Sequence, residues 1–317
     1  MALQMFYDPP RYSSGYAALF QTIGFIPETH MLKPYKSRVQ STYALMQTMI
    51  STASTHCKDL RAFRMRARAA VQTQQDFPLS WQIDTTRHST VPFSGYEQAF
   101  KRSDATGLQR MYYDHSKPYS KPVKFFDAFI PGNLVKKPRA YLVPQGWYAI
   151  IDLLKLNGVQ LAQLKNDTFL NVSAYHIDDY KASARAYEKH HKNSGVKVTA
   201  TQQNIKFLKG DYYIELNQPA NRYLVEMLEP TGDDSFFAWN FFDAILQQKE
   251  GYSDYRWEDV AADVLKGHPG LQNELEQKKK NDTSFAGNAA AQLDFIYKRS
   301  PYYEPTHLRY PVYRLLQ

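Results

Sequence analysis

The chain has 317 residues, of which 43% are hydrophobic and 15% aromatic, so it can form one large domain or two domains with a packed core. Charged residues make up 22% of the chain, which argues against general disorder. Lys and Arg number 39 against 31 Asp and Glu, but the basic residues are scattered apart from runs at 61–68 and 278–280. Without zinc-finger spacing or an RNA-binding signature, this pattern predicts solvated helix faces and no nucleic-acid partner.

The cysteine count and the hydropathy pattern limit the topology further. Cys57 is the single cysteine, so no intramolecular disulfide forms. No apolar run approaches the roughly 20 residues that a membrane span needs, so no span is predicted. The opening residues MALQMFYDPPRYSSGY lack a basic segment followed by an apolar one, so no export signal is expected there. The compartment is not determined by these features.

The N-terminal part predicts a strand followed by a long helix. Residues 22–27 (TIGFIP) form a short apolar run typical of a buried strand, and Glu28 stands at its carboxyl end. Pro34 suits the first turn of a helix. Apolar residues then recur at spacings of three and four as far as Val71, which predicts one continuous helix with an apolar face.

From about residue 79 to residue 216 the pattern changes to strands and turns. One helix interrupts the strands, because Pro144 suits its first turn and an Asn-Gly pair suits its end. Together with apolar segments at 139–143 and 159–164, this helix predicts one strand–helix–strand crossover. Alternating apolar residues that begin at Val196 predict an antiparallel pair or meander.

Beyond residue 236 the chain becomes helical. Glycine- and asparagine-containing breaks separate three predicted helices, at residues 258–266, 271–280 and 284–299. The tail, rich in Tyr, Pro and Arg, is expected to run over the surface. Residues 79–317 therefore predict a mixed α and β domain whose C-terminal third is helical.

Glu28 is the first candidate for chemistry. A carboxylate at the carboxyl end of a buried strand stands where open α/β sheets bind their ligands. There it could act as a general base if burial tunes its pKa. A carboxylate at this position also suits a helix start, where the helix dipole stabilises it. The spacing alone favours the second interpretation.

A family resemblance favours the general-base interpretation of Glu28. Residues 11–46, RYSSGYAALFQTIGFIPETHMLKPYKSRVQSTYALM, resemble the end of the catalytic domain of zinc carboxypeptidases, the carboxypeptidase A-like metallopeptidases. The similarity is greatest to a bacterial branch with an E-T-H-x-L-K-P run. The resemblance implies an α/β fold in which residues 1–78 are the C-terminal remnant, strand plus long helix, of the carboxypeptidase domain. Residues 79–317 are then a mixed α+β extension domain. Three later segments resemble the extension of those proteins, at residues 209–230, 234–255 and 300–315.

The resemblance also implies roles for individual residues. In that family the glutamate that ends the strand is the general base that activates a zinc-bound water, and Glu28 matches it. Tyr16 is a candidate for the family's mobile substrate-binding tyrosine, with Tyr7 and Tyr12 equally open. His30 is a candidate for a residue that lines the cleft. The resemblance further implies a peptide substrate, a zinc cofactor and an exported or periplasmic protein.

The zinc ligands of that family have no counterpart in this sequence. They are an H-x-x-E pair and a later histidine, all upstream of the catalytic glutamate. Only 27 residues precede Glu28, none of them is a histidine, and no H-x-x-E occurs anywhere. Catalytic zinc requires three protein ligands and an open water position. We therefore expect the ligands and the carboxylate-binding arginine on upstream sequence, and we expect this chain to be inactive alone.

The alternative hypothesis is a non-catalytic binding or structural module associated with a peptidase. Residues 79–317 are rich in aromatic residues and contain no evident catalytic set. Exposure of Trp147, Trp239 and Trp257 would favour binding, whereas burial would favour a bracing role. Separated from the rest of its sheet, the apolar surface of residues 22–27 and of the long helix is expected to be exposed, to pack on the second domain, or to mediate self-association.

Overall fold

The computed structural model describes residues 2–248 and 250–316, a mixed α/β structure with several sheets. The chain begins with strand β1 (Ala2–Gln4) and helix α1 (Ser13–Leu19). A coil then leads into helices α2 (Tyr35–Thr55) and α3 (Cys57–Thr73). No helix among the described residues is both long and apolar enough to cross a membrane.

The strand predicted at residues 22–27 is wrong, because this segment is coil. Ile23 and Phe25 are 70% and 65% exposed. Apolar residues form a buried strand only where neighbouring strands satisfy the backbone groups and a sheet covers the side chains. No strand of the described residues pairs with this segment. Its carboxyl end is therefore not a sheet edge.

The predicted long helix forms, but it is interrupted at His56, which ends α2 and precedes α3. None of the residues of α2 is buried, and in α3 the buried residue is Val71. Tyr43 and Ile50 are 62% and 68% exposed. The apolar face of α2 is thus exposed, which was one of the expected outcomes, whereas Val71 near the end of α3 belongs to the main core.

A long hairpin and two small sheets follow α3. The two hairpin strands pair antiparallel along almost their whole length, and β1 adds a short parallel strand beside the second of them, which is therefore the middle strand of three. Most side chains of the hairpin are exposed or half-buried, so it forms a two-stranded arm with little core of its own. The strands are β2 (Asp76–Pro78), β3 (Trp81–Ile83), β4 (Ser89–Arg102), β5 (Gln109–Phe126), β6 (Phe129–Pro131) and β7 (Leu134–Lys136).

The central sheet has six antiparallel-paired strands in the order β11-β10-β13-β8-β12-β9. They are β8 (Ala140–Val143), β9 (Ala162–Gln163), β10 (Thr168–Ala182), β11 (Asn193–Phe207), β12 (Tyr212–Glu215) and β13 (Tyr313–Leu315). Helix α4 (Tyr148–Leu156) joins β8 to β9, which run in the same direction on either side of β12. The predicted crossover is confirmed, with an antiparallel strand inserted between its two strands.

The main core lies between this sheet, α4 and helix α5 (Asn221–Leu228). Ile150, Ile151 and Leu154 of α4 are at most 1% exposed, and each such burial stabilises the fold by roughly 1.5–3 kcal/mol. Leu19, Val71 and Phe77 from the N-terminal part belong to the same cluster. The boundary at residue 78 stays a prediction.

Four helices near the C-terminus surround a separate small core. They are α6 (Asp254–Gly267), α7 (Pro269–Asn281), α8 (Thr283–Ala286) and α9 (Ala289–Tyr297). The predicted helix at 284–299 is split, because Asn288 caps α9 by accepting a hydrogen bond from the backbone N–H of Ala291 at 3.0 Å. Trp257 is 4% exposed and fills the centre of this core, so it braces the helices.

Candidate functional site

The structure places Glu28 and His30 on an exposed coil before α2. Glu28 does not stand at the end of a buried strand, because the segment before it is coil, and no described residue forms an ion pair with it. Nδ1 of His30 accepts a hydrogen bond from the backbone N–H of Leu32 at 3.2 Å, which is a local turn contact. Tyr16 lies elsewhere, on α1. Tyr16 lines a cleft whose lining residues include neither Glu28 nor His30.

The surroundings of Glu28 do not fit a zinc site. Zinc requires several His, Cys, Asp or Glu side chains within bonding distance of one point. Across residues 2–248 and 250–316 no group of three or more such side chains is placed to hold a metal ion.

Helix α1 holds Tyr16 in a fixed position. A Cβ atom at Gly15 would lie 2.3 Å from the carbonyl oxygen of Pro9 and 2.4 Å from that of Asp8. Glycine therefore lets the helix pack directly on the preceding loop. The Tyr16 hydroxyl donates a hydrogen bond to Oδ1 of Asn157, at the C-terminal end of α4. This contact fixes one wall of a cleft between α1, α4 and α5.

The opposite wall is organised by Asp234, whose side chain is 2% exposed. Oδ2 accepts hydrogen bonds from the backbone N–H and Nε of Arg11 at 2.9 and 3.0 Å. Oδ1 accepts from Nζ of Lys192 at 2.6 Å and from Nε1 of Trp239 at 3.2 Å. Both oxygens of the buried carboxylate are thus satisfied, as a buried charge requires. Three distant segments and the Trp239 ring are held together around it.

We call the space between these walls the aromatic cleft. Its volume is about 400 Å³. Trp239 is half-buried, and Nζ of Lys192 lies 4.6 Å from its ring centroid, a cation–π distance. The aromatic residues that line the cleft are Tyr16, Tyr187, Tyr223, Phe236, Trp239 and Phe241. Planar apolar walls with a few fixed polar groups are typical of ligand sites.

Tyr187 reaches the cleft from a strained turn. Its backbone exchanges two hydrogen bonds of 2.9 Å with His190. The two residues between them, Glu188 and Lys189, have φ of 49° and 69°. Left-handed backbone is unfavourable for residues other than glycine. Strained residues of this kind are frequent at binding sites.

The charge distribution beside the cleft is asymmetric. Burial raises the pKa of Tyr7 to about 12, with the nearby Glu226 carboxyl adding to the effect. The pKa of Asp233 is also raised, first by loss of solvent around its carboxyl and then by the neighbouring charge of Asp234. The carboxylates of Asp233 and Asp234 therefore repel each other, and the positive charges of Arg11 and Lys192 offset this repulsion.

A second cleft of about 570 Å³ lies between β11, β13 and the loop before α4. Half-buried Trp147 lines it together with Phe207 and Tyr313. Its two acidic residues already accept hydrogen bonds. Asp211 accepts from the backbone N–H groups of Gln145 and Leu208 at 3.0 and 2.8 Å, and Glu304 accepts from the backbone N–H of Thr306 at 3.0 Å. This cleft is larger than the aromatic cleft.

Sequence reasoning missed Arg11, Lys192 and Asp234. These residues are 42 or more positions apart, and no motif connects them. The sequence did carry one usable signal, the density of aromatic residues around Asp234 in DSFFAWNFF (residues 234–242). A buried acid amid aromatic residues requires partners, but the sequence does not identify them.

Comparison with known proteins gives one partial match. A stretch of 105 residues, 32% of this chain, is 30% identical to carboxypeptidase 2 of Trichophyton tonsurans. The match covers 18% of that protein, so the chain corresponds to under a fifth of its relative's length. No family model and no solved structure matches the chain. The chain therefore has a carboxypeptidase-like relationship over about a third of its length.

Proposed function

We propose that this chain is a non-catalytic peptide-binding module of a carboxypeptidase-related protein. The observation that carries the proposal is the aromatic cleft, in which Asp234 holds Arg11, Lys192 and Trp239 in fixed positions. A prearranged wall loses little conformational freedom on binding. An apolar or aromatic side chain of a peptide fits the ring faces of Trp239 and Tyr187. The partial similarity to a carboxypeptidase supports a peptide as the ligand.

The test is to measure the affinity for a neutral aromatic peptide, acetyl-Ala-Phe-Ala amide, by isothermal titration calorimetry. Trp239→Ala should weaken binding by about tenfold, since an aromatic pair contributes roughly 0.5–1.5 kcal/mol beyond its buried area. Trp147→Ala is the matched control, because Trp147 is also half-buried but lines the second cleft. Equal losses in both variants, or binding of neutral oligosaccharides in preference to the peptide, would refute the proposal.

A second proposal concerns the longer protein. There, Glu28 is the general base of a zinc carboxypeptidase of the bacterial type, with residues 1–78 as the end of its catalytic domain, residues 79–317 as an extension, and zinc ligands on other sequence. Such a protein would be exported. The 105-residue similarity supports the relationship to a carboxypeptidase. The exposed face of α2 and the coil before Glu28 supply a surface on which further sequence could pack.

The experiment compares this chain with a longer protein that contains the missing zinc ligands. Glu28→Gln should lower kcat of the longer protein by about 10²- to 10⁴-fold, as expected for loss of a general base. Glu97→Gln, an exposed glutamate on β4, is the control and should change nothing. Zinc-dependent release of C-terminal residues by the present chain alone would show that the proposed inactivity is wrong.

A further inference from the structure

A basic cleft adjoins the aromatic cleft and has no assigned role. We call it the arginine cleft. It has a volume of about 370 Å³, and Arg64 and Arg68 of α3 line one side of it. The other side is formed by amide side chains, those of Gln21, Gln160 and Gln218. None of its lining residues is acidic.

The two arginines are not neutralised by their surroundings. No described residue forms an ion pair with Arg64 or Arg68. They are four residues apart, about 6 Å along the helix axis, so their guanidinium groups lie on the same face. Helix α3 carries five basic residues and one acidic residue, Asp59, in its first turn. Like charges at this spacing destabilise a helix slightly, and a bound anion would remove that cost.

The amide wall is already shaped without a ligand. Oε1 of Gln218 accepts a hydrogen bond from the backbone N–H of Gln160 at 2.8 Å, and its Nε2 donates to the backbone carbonyl of Gln160 at 3.0 Å. Nε2 also donates to the carbonyl of Glu215 at 2.8 Å. Gln218 is 3% exposed, so its position is fixed by packing and by three hydrogen bonds. The wall facing the arginines is therefore rigid and uncharged.

The arginine cleft and the aromatic cleft meet at Asn157. This residue lines both spaces, and its side chain is held by two contacts. Oδ1 accepts from the Tyr16 hydroxyl, and Nδ2 donates to the carbonyl of Leu153 at 2.8 Å. A ligand that extends past Asn157 thus passes from aromatic walls to a pair of unneutralised guanidinium groups.

We propose that the arginine cleft binds a carboxylate of the same peptide whose apolar side chain occupies the aromatic cleft. Guanidinium groups match carboxylates with two parallel hydrogen bonds, which gives orientation as well as attraction. This inference rests on the proposed function, because it takes the ligand of the aromatic cleft to be a peptide. The chain then selects acidic over neutral peptides. The carboxylate comes either from an Asp or Glu side chain or from the peptide's terminus.

The test uses three peptides and calorimetry. They are acetyl-Ala-Phe-Ala amide, the same peptide with a free terminal carboxylate, and acetyl-Ala-Phe-Ala-Glu amide. At least one carboxylate peptide should bind about tenfold more tightly than the neutral one, since each partly exposed ion pair contributes up to about fivefold. Which of the two binds more tightly identifies the source of the carboxylate. The advantage should shrink at 0.5 M salt because exposed charges are screened.

The double variant Arg64→Gln/Arg68→Gln should bind all three peptides with the same affinity, namely the affinity of the wild-type protein for the neutral peptide. The double variant Arg61→Gln/Arg66→Gln is the control. It removes the same charge from exposed positions of the same helix that do not line the cleft. This variant should still bind the carboxylate peptide more tightly than the neutral one. If the wild-type protein binds all three peptides alike, or if both double variants lose the advantage equally, this inference is wrong while the proposed function stands. If no peptide binds at all, the proposed function itself fails.

Discussion

Arg11 donates two hydrogen bonds to a single oxygen of Asp234, one from its backbone N–H and one from Nε, across 223 positions of sequence. Lys192 approaches the other oxygen at 2.6 Å. One buried carboxylate thus fixes the N-terminal loop, the β10–β11 connection and the Trp239 segment relative to each other. The aromatic cleft depends on this arrangement.

Asp234→Asn should reduce the free energy of unfolding by about 3 kcal/mol, because removing one partner leaves the charges of Arg11 and Lys192 uncompensated in a mostly buried position. Urea denaturation followed by circular dichroism measures the change. Asp233→Asn is the matched control, since Asp233 is adjacent in sequence and forms no ion pair with any described residue. Similar losses in the two variants would show that Asp234 has no special structural role.

Asp233→Asn should itself make the protein more stable at pH 7. Loss of solvent and the Asp234 charge raise the pKa of Asp233 in the folded state. The pKa of this carboxyl is higher in the folded protein than in the unfolded chain. The stability that this difference contributes is fully present at a pH below the unfolded pKa, and it is lost as the pH rises through the folded pKa. At pH 7 the charged carboxyl is therefore unfavourable, and asparagine removes it. The stability difference between variant and wild type should vanish near pH 3, and a difference that persists there would contradict this explanation.

Gly15→Ala should lower stability by roughly 1–3 kcal/mol, the usual range for overpacking. The added methyl group would overlap the carbonyl oxygens of Asp8 and Pro9, so α1 must move away from the loop. Tyr16 would move with it and weaken binding of the aromatic peptide. Gly146→Ala is the control, because no atom lies within 4 Å of a Cβ there. Thermal denaturation compares the two, and an unchanged melting temperature for Gly15→Ala would refute the close packing.

Lys189→Gly should raise stability by about 1 kcal/mol. Lys189 has a φ of 69°, which glycine adopts without the steric cost that a side chain incurs. Arg185→Gly in the same connection serves as the control, because Arg185 is not among the residues with positive φ. That change should be neutral or slightly destabilising, since it adds freedom to the unfolded chain. Denaturant midpoints measure both, and a loss of stability in Lys189→Gly would show that the side chain makes contacts that outweigh the strain.

Helix α4 was predicted well because its signals are local. Pro144 before it, the stripe of Ile150, Ile151 and Leu154, and the glycine after it, at φ 72°, are all properties of neighbouring residues. Residues 22–27 were predicted wrongly because a strand exists only if other strands pair with it, and hydropathy does not contain that information.

The candidate site was predicted less well than the helices. Tyr16 lines the aromatic cleft, but it was selected by family resemblance and not for its contact with Asn157. Arg11 and Asp234 come together through long-range folding, which single-residue chemistry does not reveal. Glu28 remains a prediction for a longer protein, since nothing near it in the described chain supplies a partner. Trp147 and Trp239 are half-buried and line clefts, whereas Trp257 has the burial that was taken to favour a bracing role.

Helix α2 extends over 21 residues without burying any of them. It therefore lacks the tertiary packing that supplies most of the stability of helices in proteins, and its own backbone hydrogen bonds are what mainly hold it. Its amide protons should exchange with deuterium within seconds, while those of the central sheet exchange only when the whole core opens. In this chain the helix and the core are therefore expected to behave as two separate cooperative units.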